Sequence, residues 1–351
     1  MRSALWGSLL WCVAAQAAAQ GVPVTFEESQ PVTVTGFAVA SADYDRLARS
    51  NSFAASKIAV SLFKPVGDVY FFGQLTTALN ETGEASTEID HIIVSWTPHA
   101  ANQWTFEFGR FPAPIGVEQD DEPLNFLPTH SFNFDFARPS ALTGAIVRYT
   151  ASRHFDFLAA VANGWDVTLD NNRGKTGVLR GEWIATERLT FGVTGVYGPE
   201  GDGTDANQRS LLSGDVTLNA GPLILQAEAN FGRQQDPPAN PSWRGGVLTA
   251  FVRLGRSIGL AARYDQLEDK EGVLTQTGQV LRSITVGPMW FYRSAQEGIF
   301  SNIEHTGFHL PQVALRAALR VDRSSADFFL NSSGAPERTN TRAVIELLYL
   351  F

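Results

Sequence analysis

Cysteine is almost missing from this 351-residue chain, which holds one, Cys12. That residue lies in an N-terminal stretch that reads as an export signal. The exported chain is therefore expected to have no disulfide, no thiolate nucleophile and no cysteine-ligated metal. Charge is also scarce: Asp, Glu, Lys and Arg make up 18% of the residues, against about 25% in ordinary soluble domains. The net charge is −9 and no basic run stands out, which argues against nucleic acid as a partner. After residue 30 no stretch has the length and apolarity of a membrane helix, which needs about 20 apolar residues. There is no Gly-x-Ser-x-Gly elbow and no short His-x-Ser arrangement among the six histidines, at 91, 99, 130, 154, 305 and 309, so the hydrolase patterns that depend on them are missing.

What is present begins with the export signal. Arg2 gives a small basic start, Leu5 to Ala15 an apolar core, and Ala17-Ala18-Ala19 the small residues a signal peptidase needs. Residues 1–19 are expected to be removed, leaving 20–351 as one domain. Trp11, just before Cys12, does not suit a lipid-anchored cysteine.

Beyond the signal the chain carries 31 Gly and 24 Phe, and its recurring pattern is alternation of apolar with polar or small residues. Trp104, Phe106 and Phe108 oppose Thr105 and Glu107. Leu189, Phe191, Val193 and Tyr197 oppose Thr190, Gly192 and Thr194. Val313, Leu315, Ala317, Leu319 and Val321 oppose Gln312, Arg316 and Arg320. The pattern predicts strands near 31–41, 54–64, 69–79, 88–97, 103–111, 142–150, 154–162, 175–185, 188–198, 209–219, 222–232, 245–254, 258–266, 281–292, 311–321 and 341–351. Tight connections such as 65–68, 151–154 and 219–222 alternate with longer polar ones at 42–52, 80–86, 112–141, 163–174, 199–208, 233–243 and 267–275. The class is all-β. An even count of about 16 strands, with short turns on one rim and long loops on the other, predicts a transmembrane antiparallel up-and-down β-barrel. The link 293–310 is long for the short-turn rim, and 299–306 could form an extra strand there. The last strand places Ile345, Leu347, Tyr349 and Phe351 on one face and ends on an aromatic. Tyr349 and Phe351 are thus expected to serve as the signal for the barrel-assembly machinery of the outer membrane.

The stretch Gly109-Arg-Phe-Pro-Ala-Pro-Ile-Gly-Val-Glu118, followed by Asn125-Phe126, Pro139 and Thr143-Gly144, is followed in turn by Asn163-Gly-Trp-Asp166 and Asp170-Asn171-Asn172-Arg173-Gly174-Lys175. Together these resemble a family of bacterial outer-membrane β-barrel porins, the second type, distantly like phosphate-selective porins. The resemblance is specific over roughly 105–185 and generic elsewhere. It implies a pore in the outer membrane of a Gram-negative cell and brings no solute with it.

Charge on a lipid-facing strand position costs about 2–4 kcal/mol at mid-membrane, so strand charges should point inward. That predicts a lumen wall holding Lys57, Glu107, Arg148, Arg180, Glu182, Glu228, Arg263, Asp265, Arg316, Arg320, Arg342 and Glu346. A barrel of this size encloses water, so passive diffusion of small hydrophilic solutes or ions is the expected function. A loop-plugged, non-conducting barrel with an adhesive or structural role is the alternative. The loop 112–141, with Glu118, Asp120, Asp121, Glu122 and Asp135, is the candidate constriction. Folded inward, it would oppose Arg148, Arg180, Arg316 and Arg320 across the lumen. It could equally be a solvated acidic loop on the outer surface, bridged by cations to lipopolysaccharide. The inward arginines could equally be wall stiffeners paired with Glu107, Glu182 and Glu346. Phe106, Phe108, Phe155, Phe157, Trp96, Trp104 and Trp183 should meet lipid. No catalytic group, cofactor or metal is expected, although Asp120, Asp121 and His130 on one loop, and Glu304-His305 with His309, bear checking. Expected partners are outer-membrane lipid and lipopolysaccharide, the assembly machinery and the solutes; a homotrimer suits the size.

Overall fold

The computed structural model describes residues 22–24, 31–79, 83–201, 203–235, 239–294 and 311–351. Sixteen long strands follow one another in chain order. The first eight are β1 (Val32–Asp45), β2 (Ser50–Val66), β3 (Val69–Leu79), β4 (Ala85–Trp96), β5 (Trp104–Pro112), β6 (Ala141–Ser152), β7 (Phe155–Ala162) and β8 (Thr176–Thr186). The second eight are β9 (Leu189–Gly201), β10 (Thr204–Ala220), β11 (Leu223–Gln234), β12 (Ser242–Arg253), β13 (Ile258–Asp269), β14 (Gln279–Ser294), β15 (Pro311–Ser324) and β16 (Thr339–Leu350). Each pairs antiparallel with its neighbours in sequence, and β16 returns to β1 in a register running from Arg342↔Asp45 to Leu350↔Phe37. The sheet is a closed sixteen-stranded barrel, which leaves no unpaired edge.

The alternation explains why these segments form this wall. On β5, Trp104, Phe106 and Phe108 are exposed on the outside, while Thr105 and Glu107 are buried inside. Trp96, Phe155, Phe157 and Trp183 are likewise exposed. Many outer aromatics gather at one end: Trp96 stacks on Phe106 at 5.4 Å, Trp104 on Tyr149 at 4.4 Å, and Trp183 on Phe191 at 5.4 Å. All six lie beside the tight turns of the barrel, where an interfacial girdle belongs. The terminal residue closes the seam. Phe351 and Gly36 exchange two backbone hydrogen bonds, of 2.9 and 3.0 Å. The Phe351 ring covers the glycine, where an added Cβ would lie 2.8 Å from Cζ.

Two connections are shorter than the polar sequence suggests. Strands β9 and β10 run on through most of 199–208, with Pro199↔Gln208 and Gly201↔Thr204 paired. Likewise β1 reaches Asp45 and β2 starts at Ser50, inside the expected loop 42–52. Above the hydrocarbon both faces of a hairpin meet water, so the backbone ladder continues where side-chain alternation has stopped. The export signal, Cys12, Glu304, His305, His309 and the candidate strand 299–306 lie outside the described residues.

Candidate functional site: a lumen wall and the loop folded into it

The connection between β5 and β6 turns into the barrel. It contains a single 3₁₀ turn (Glu122–Leu124) and a π-helical turn (Asn133–Ala137) and is otherwise irregular. Three apolar clusters fix it to the wall. Ala113 and Ile115 pack with Phe63, Phe72, Ile93, Leu142 and Ile146. Phe126 and Leu127 join Phe37, Phe251, Met289 and Phe291, with the Phe126 and Phe251 rings stacked at 4.7 Å. Phe132 and Ala137 meet Trp243, Leu267 and Leu281. Phe251 and Phe291 belong to the half of the barrel near the tight turns, so the loop descends well below the rim from which it leaves. Of the two readings that sequence left open for this loop, the interior one is the position it occupies.

Polar contacts follow the same path. Arg263 Nη1 donates to Glu118 Oε1 at 2.7 Å, and the Phe132 amide donates to Asp265 Oδ1 at 2.9 Å. Glu228 forms an ion pair with Arg138 at 3.2 Å and accepts the Val117 amide at 2.9 Å. The carbonyls of Glu122 and Asn125 accept from Arg316 Nη1 at 2.9 and 2.6 Å, and that of His130 from Arg263 Nη2 at 2.7 Å and from Arg320. An irregular segment inside a barrel has no strand partner for its carbonyls, and wall arginines supply the donors. Gly116, at φ 73°, lies against Glu228; an added Cβ would sit 1.9 Å from Oε2. Glycine is thus required twice there, for conformation and for space.

The remaining wall charges pair mostly with one another. Arg148 Nε donates to Glu107 Oε2 at 3.2 Å. Arg180 bonds both oxygens of Asp215, at 2.6 and 3.0 Å, and reaches Glu182 at 3.3 Å. Arg316 Nε holds Glu346 at 2.7 Å, Arg320 Nε holds Asp322 at 2.6 Å, and Arg342 meets the other Asp322 oxygen at 3.2 Å. Lys57 pairs with Glu122 at 3.2 Å. Each of the twelve strand residues singled out above thus has its charged group engaged within the barrel.

The loop's ionisable groups feel the enclosure. Burial opposes ionisation of Glu118, but Arg263 beside it holds its carboxyl below the usual range. Burial pushes Asp135 up to about 6 against the pull of Arg320, although its side chain is open to lumen water. Burial, then the Asp90 carboxylate, push Asp121 up to about 7. Burial lowers His130 to about 4 despite Glu118 nearby, so its imidazole is neutral at pH 7. The His130 ring stacks on Phe134 at 4.0 Å, and the charged groups it feels most are Glu118, Arg263 and Arg138 rather than Asp120 or Asp121. Beside the loop an open space of about 420 Å³ lies against β1, β2 and β16, bordered by Ser41, Asp43, Ser52, Ser56, Glu122 and Glu346.

Several of these residues escape the sequence reading. Asp215 lies on the inward register of β10 with Ser213, and the period-two pattern could have found it. Arg138 lies on an irregular loop with no period to assign its direction. Asp90 and His91 are adjacent yet both buried, because a β-bulge in β4 interrupts the register between Gln74↔His91 and Leu75↔Ile89.

The model of the family described as "Putative beta-barrel porin-2, OmpL-like" matches residues 66–351. The chain belongs to that family. It is an outer-membrane porin of the Gram-negative envelope. No curated protein matches it significantly. Among solved structures the barrel is similar to the outer-membrane channel DcaP of Acinetobacter baumannii, with TM-score 0.64 and 10% identity over 94% of this chain and 100% of that one. An anion-selective porin from Comamonas acidovorans gives 0.63 and 11%, over 92% and 100%. OmpF of Salmonella typhi, solved with daunomycin, gives 0.61 and 12%, over 93% and 99%. At such identities the likeness is one of fold, and the porin's selectivity must be argued from its own lumen.

Proposed function

We propose that this porin passes small hydrophilic solutes and ions down their gradients, without chemistry, through the space left between the inserted loop and the β1–β2–β16 wall. The observation that carries this reading is the polar border of that space. Ser41, Ser52 and Ser56 line it with Asp43, Glu122 and Glu346; Glu122 is paired with Lys57 and Glu346 with Arg316, which leaves the Asp43 carboxylate outside those pairs. A constriction edged by carboxylates and hydroxyls favours cations and hydroxylated neutral solutes over anions. Of the four arginines expected to oppose the loop, Arg316 and Arg320 spend donors on loop carbonyls and wall carboxylates, whereas Arg148 and Arg180 spend theirs on wall groups alone. The role of Arg316 and Arg320 in this reading is to hold the loop. The Vibrio cholerae OmpT barrel, similar in fold (TM-score 0.60, 12% identity), is described in a trimer form, and a homotrimer is proposed here on that likeness and on size.

The test is insertion of the purified, folded protein in planar bilayers. Stepwise, ohmic current increments with a reversal potential on the cation side are expected. A second reading, a barrel plugged by its loop, draws support from the docking contacts on so many strands. Silent bilayers from correctly folded protein would select it and end the first.

A further inference from the structure

We propose that Asp90 and His91 of the wall and Asp121 of the loop form a binding site for a divalent transition cation of the zinc type, tying the loop to β4. A ligand-capable atom of each residue lies within 4.8 Å of those of the other two, and all three side chains are buried. Among the described residues this is the one such group. The bulge is what makes it: on a regular strand Asp90 and His91 would face opposite sides of the sheet.

His91 is the observation that points to a ligand. It is 3% exposed and lies inside the barrel, with Nδ1 buried and lacking a hydrogen-bond partner. A buried imidazole nitrogen without a partner is costly, and coordination would satisfy it. The two carboxylates are already oriented. Thr76 Oγ1 donates to Asp90 Oδ2 at 2.9 Å and Gln74 Nε2 to the same oxygen at 3.2 Å. Gln74 Nε2 also donates to Asp121 Oδ1 at 2.8 Å. One oxygen of each carboxylate is held from behind while the other can face a cation, the usual outer arrangement around ligating carboxylates. Two cations lie near the group: Arg110, whose Nε donates to the Asp90 carbonyl at 3.1 Å and whose Nη1 donates to Thr168 at 2.9 Å, and Lys57, which is committed to Glu122 at 3.2 Å. Asp120 adds negative charge beside them.

The donor set decides the class of ion. One imidazole and two carboxylates suit zinc-type cations, whereas calcium and magnesium favour sites made of oxygen alone. Metal–ligand distances of about 2.0–2.2 Å place three donors about 3.3 Å apart. The cluster would contract by about 1.5 Å at its widest, a movement the loop can supply. Occupancy would lock the loop against β4, so cation concentration would govern how firmly the constriction is closed.

The experiment uses the full folded barrel in detergent, titrated with Zn²⁺ alone by calorimetry and with Co²⁺ by visible absorption. Saturable binding of one ion per chain is expected, with a Co²⁺ spectrum typical of mixed nitrogen and oxygen ligands. The temperature at which the folded band is lost on gels should rise with Zn²⁺. Asp121→Asn and His91→Gln should each weaken binding by at least about tenfold, and Mg²⁺ should not compete. No saturable binding, or unchanged affinity in Asp121→Asn, would overturn the proposal. That variant lies on the loop and leaves the strands intact, so it decides the matter even if His91→Gln does not fold. None of these readouts depends on conductance, so a silent channel would leave them standing.

Discussion

Glu228 is the wall residue through which the loop can be released most directly. Its carboxylate accepts the Val117 amide, pairs with Arg138 and takes a 2.7 Å bond from Asn230, and it presses on Gly116. The Arg138 and Glu228 side chains are 2% and 1% exposed. Glu228→Ala removes the one carboxylate that pairs with Arg138 and strips the Val117 amide of its charged acceptor. Breaking a buried pair from one side costs about 3–5 kcal/mol. Access of lumen water to the vacated position lowers that, so about 3 kcal/mol is a fair expectation, or roughly a hundredfold shift toward the undocked loop. Arg138 also donates to the Glu118 carbonyl at 2.6 Å, so the disturbance should spread along the loop. Two assays read it. Single-channel recording should show larger and noisier unitary conductance than wild type, and limited proteolysis should cut within 113–140 far faster while the barrel band persists. Arg138→Met combined with Glu228→Gln leaves no orphan charge and should recover much of the docking. A Glu228→Ala channel with wild-type conductance and a wild-type cleavage rate would refute the claim that this pair holds the loop inside.

Further outcomes follow from the lumen charges and from the seam. Asp135, pushed up to about 6, is neutral below that pH and negative above it, so cation preference in reversal-potential measurements should rise between pH 5 and 7; Asp121 titrates nearby, and Asp135→Asn should remove only its own part of the step. Arg148→Gln with Arg180→Gln removes two inward cations and leaves Glu107, Glu182 and Asp215 without them, so reversal potentials should move toward cations; unchanged values would take both arginines out of the conducting path. Deleting Phe351 removes both hydrogen bonds to Gly36 and the cover over it, about 2 kcal/mol at typical net values; the folded band on gels should be lost at lower temperature, and equal heat resistance would deny the terminal residue a part in closure.

The architecture was largely legible in the sequence because a membrane barrel imposes one rule at every strand: greasy side out, polar side in. Each of the sixteen expected segments overlaps an observed strand, and 69–79 is matched end for end. The rule weakens where the membrane ends. That is why the β9–β10 hairpin extends through a stretch whose composition reads as loop. Direction is legible only where period two holds, so Glu107 and Arg316 could be assigned inward while the bulged pair Asp90–His91 could not. The loop's position was beyond reach for a different reason. Its acidic residues suit water outside the barrel as well as arginines inside it, and the deciding partners, such as Arg263, Arg316 and Arg320, lie more than 130 residues away in the chain.

Those partners also bear on what the arginines would contribute inside a water-filled tube. A lumen that had only to be wet could be lined by serine and threonine, and Ser41, Ser52 and Ser56 do line the open space beside β1 and β2. Charged donors appear instead where the loop runs. Arg263 reaches the carbonyls of Thr129 and His130, Arg316 those of Glu122 and Asn125, and Arg320 that of His130. A guanidinium offers five donors in a rigid fork, so one side chain can satisfy two carbonyls of an irregular loop and a wall carboxylate together, as Arg316 does with Glu346. Lysine, a compact point charge on a flexible stem, lacks that fork. In this reading Arg263, Arg316 and Arg320 are first the hydrogen-bond partners of a largely irregular segment, and their positive charge is largely cancelled by the carboxylates that orient them. What remains to face a passing solute beside β1 and β2 is the Asp43 carboxylate with the serines, because Glu346 is held by Arg316 and Glu122 by Lys57. Reversal potentials should thus respond more to Asp43→Asn than to loss of any single arginine that keeps the loop in place.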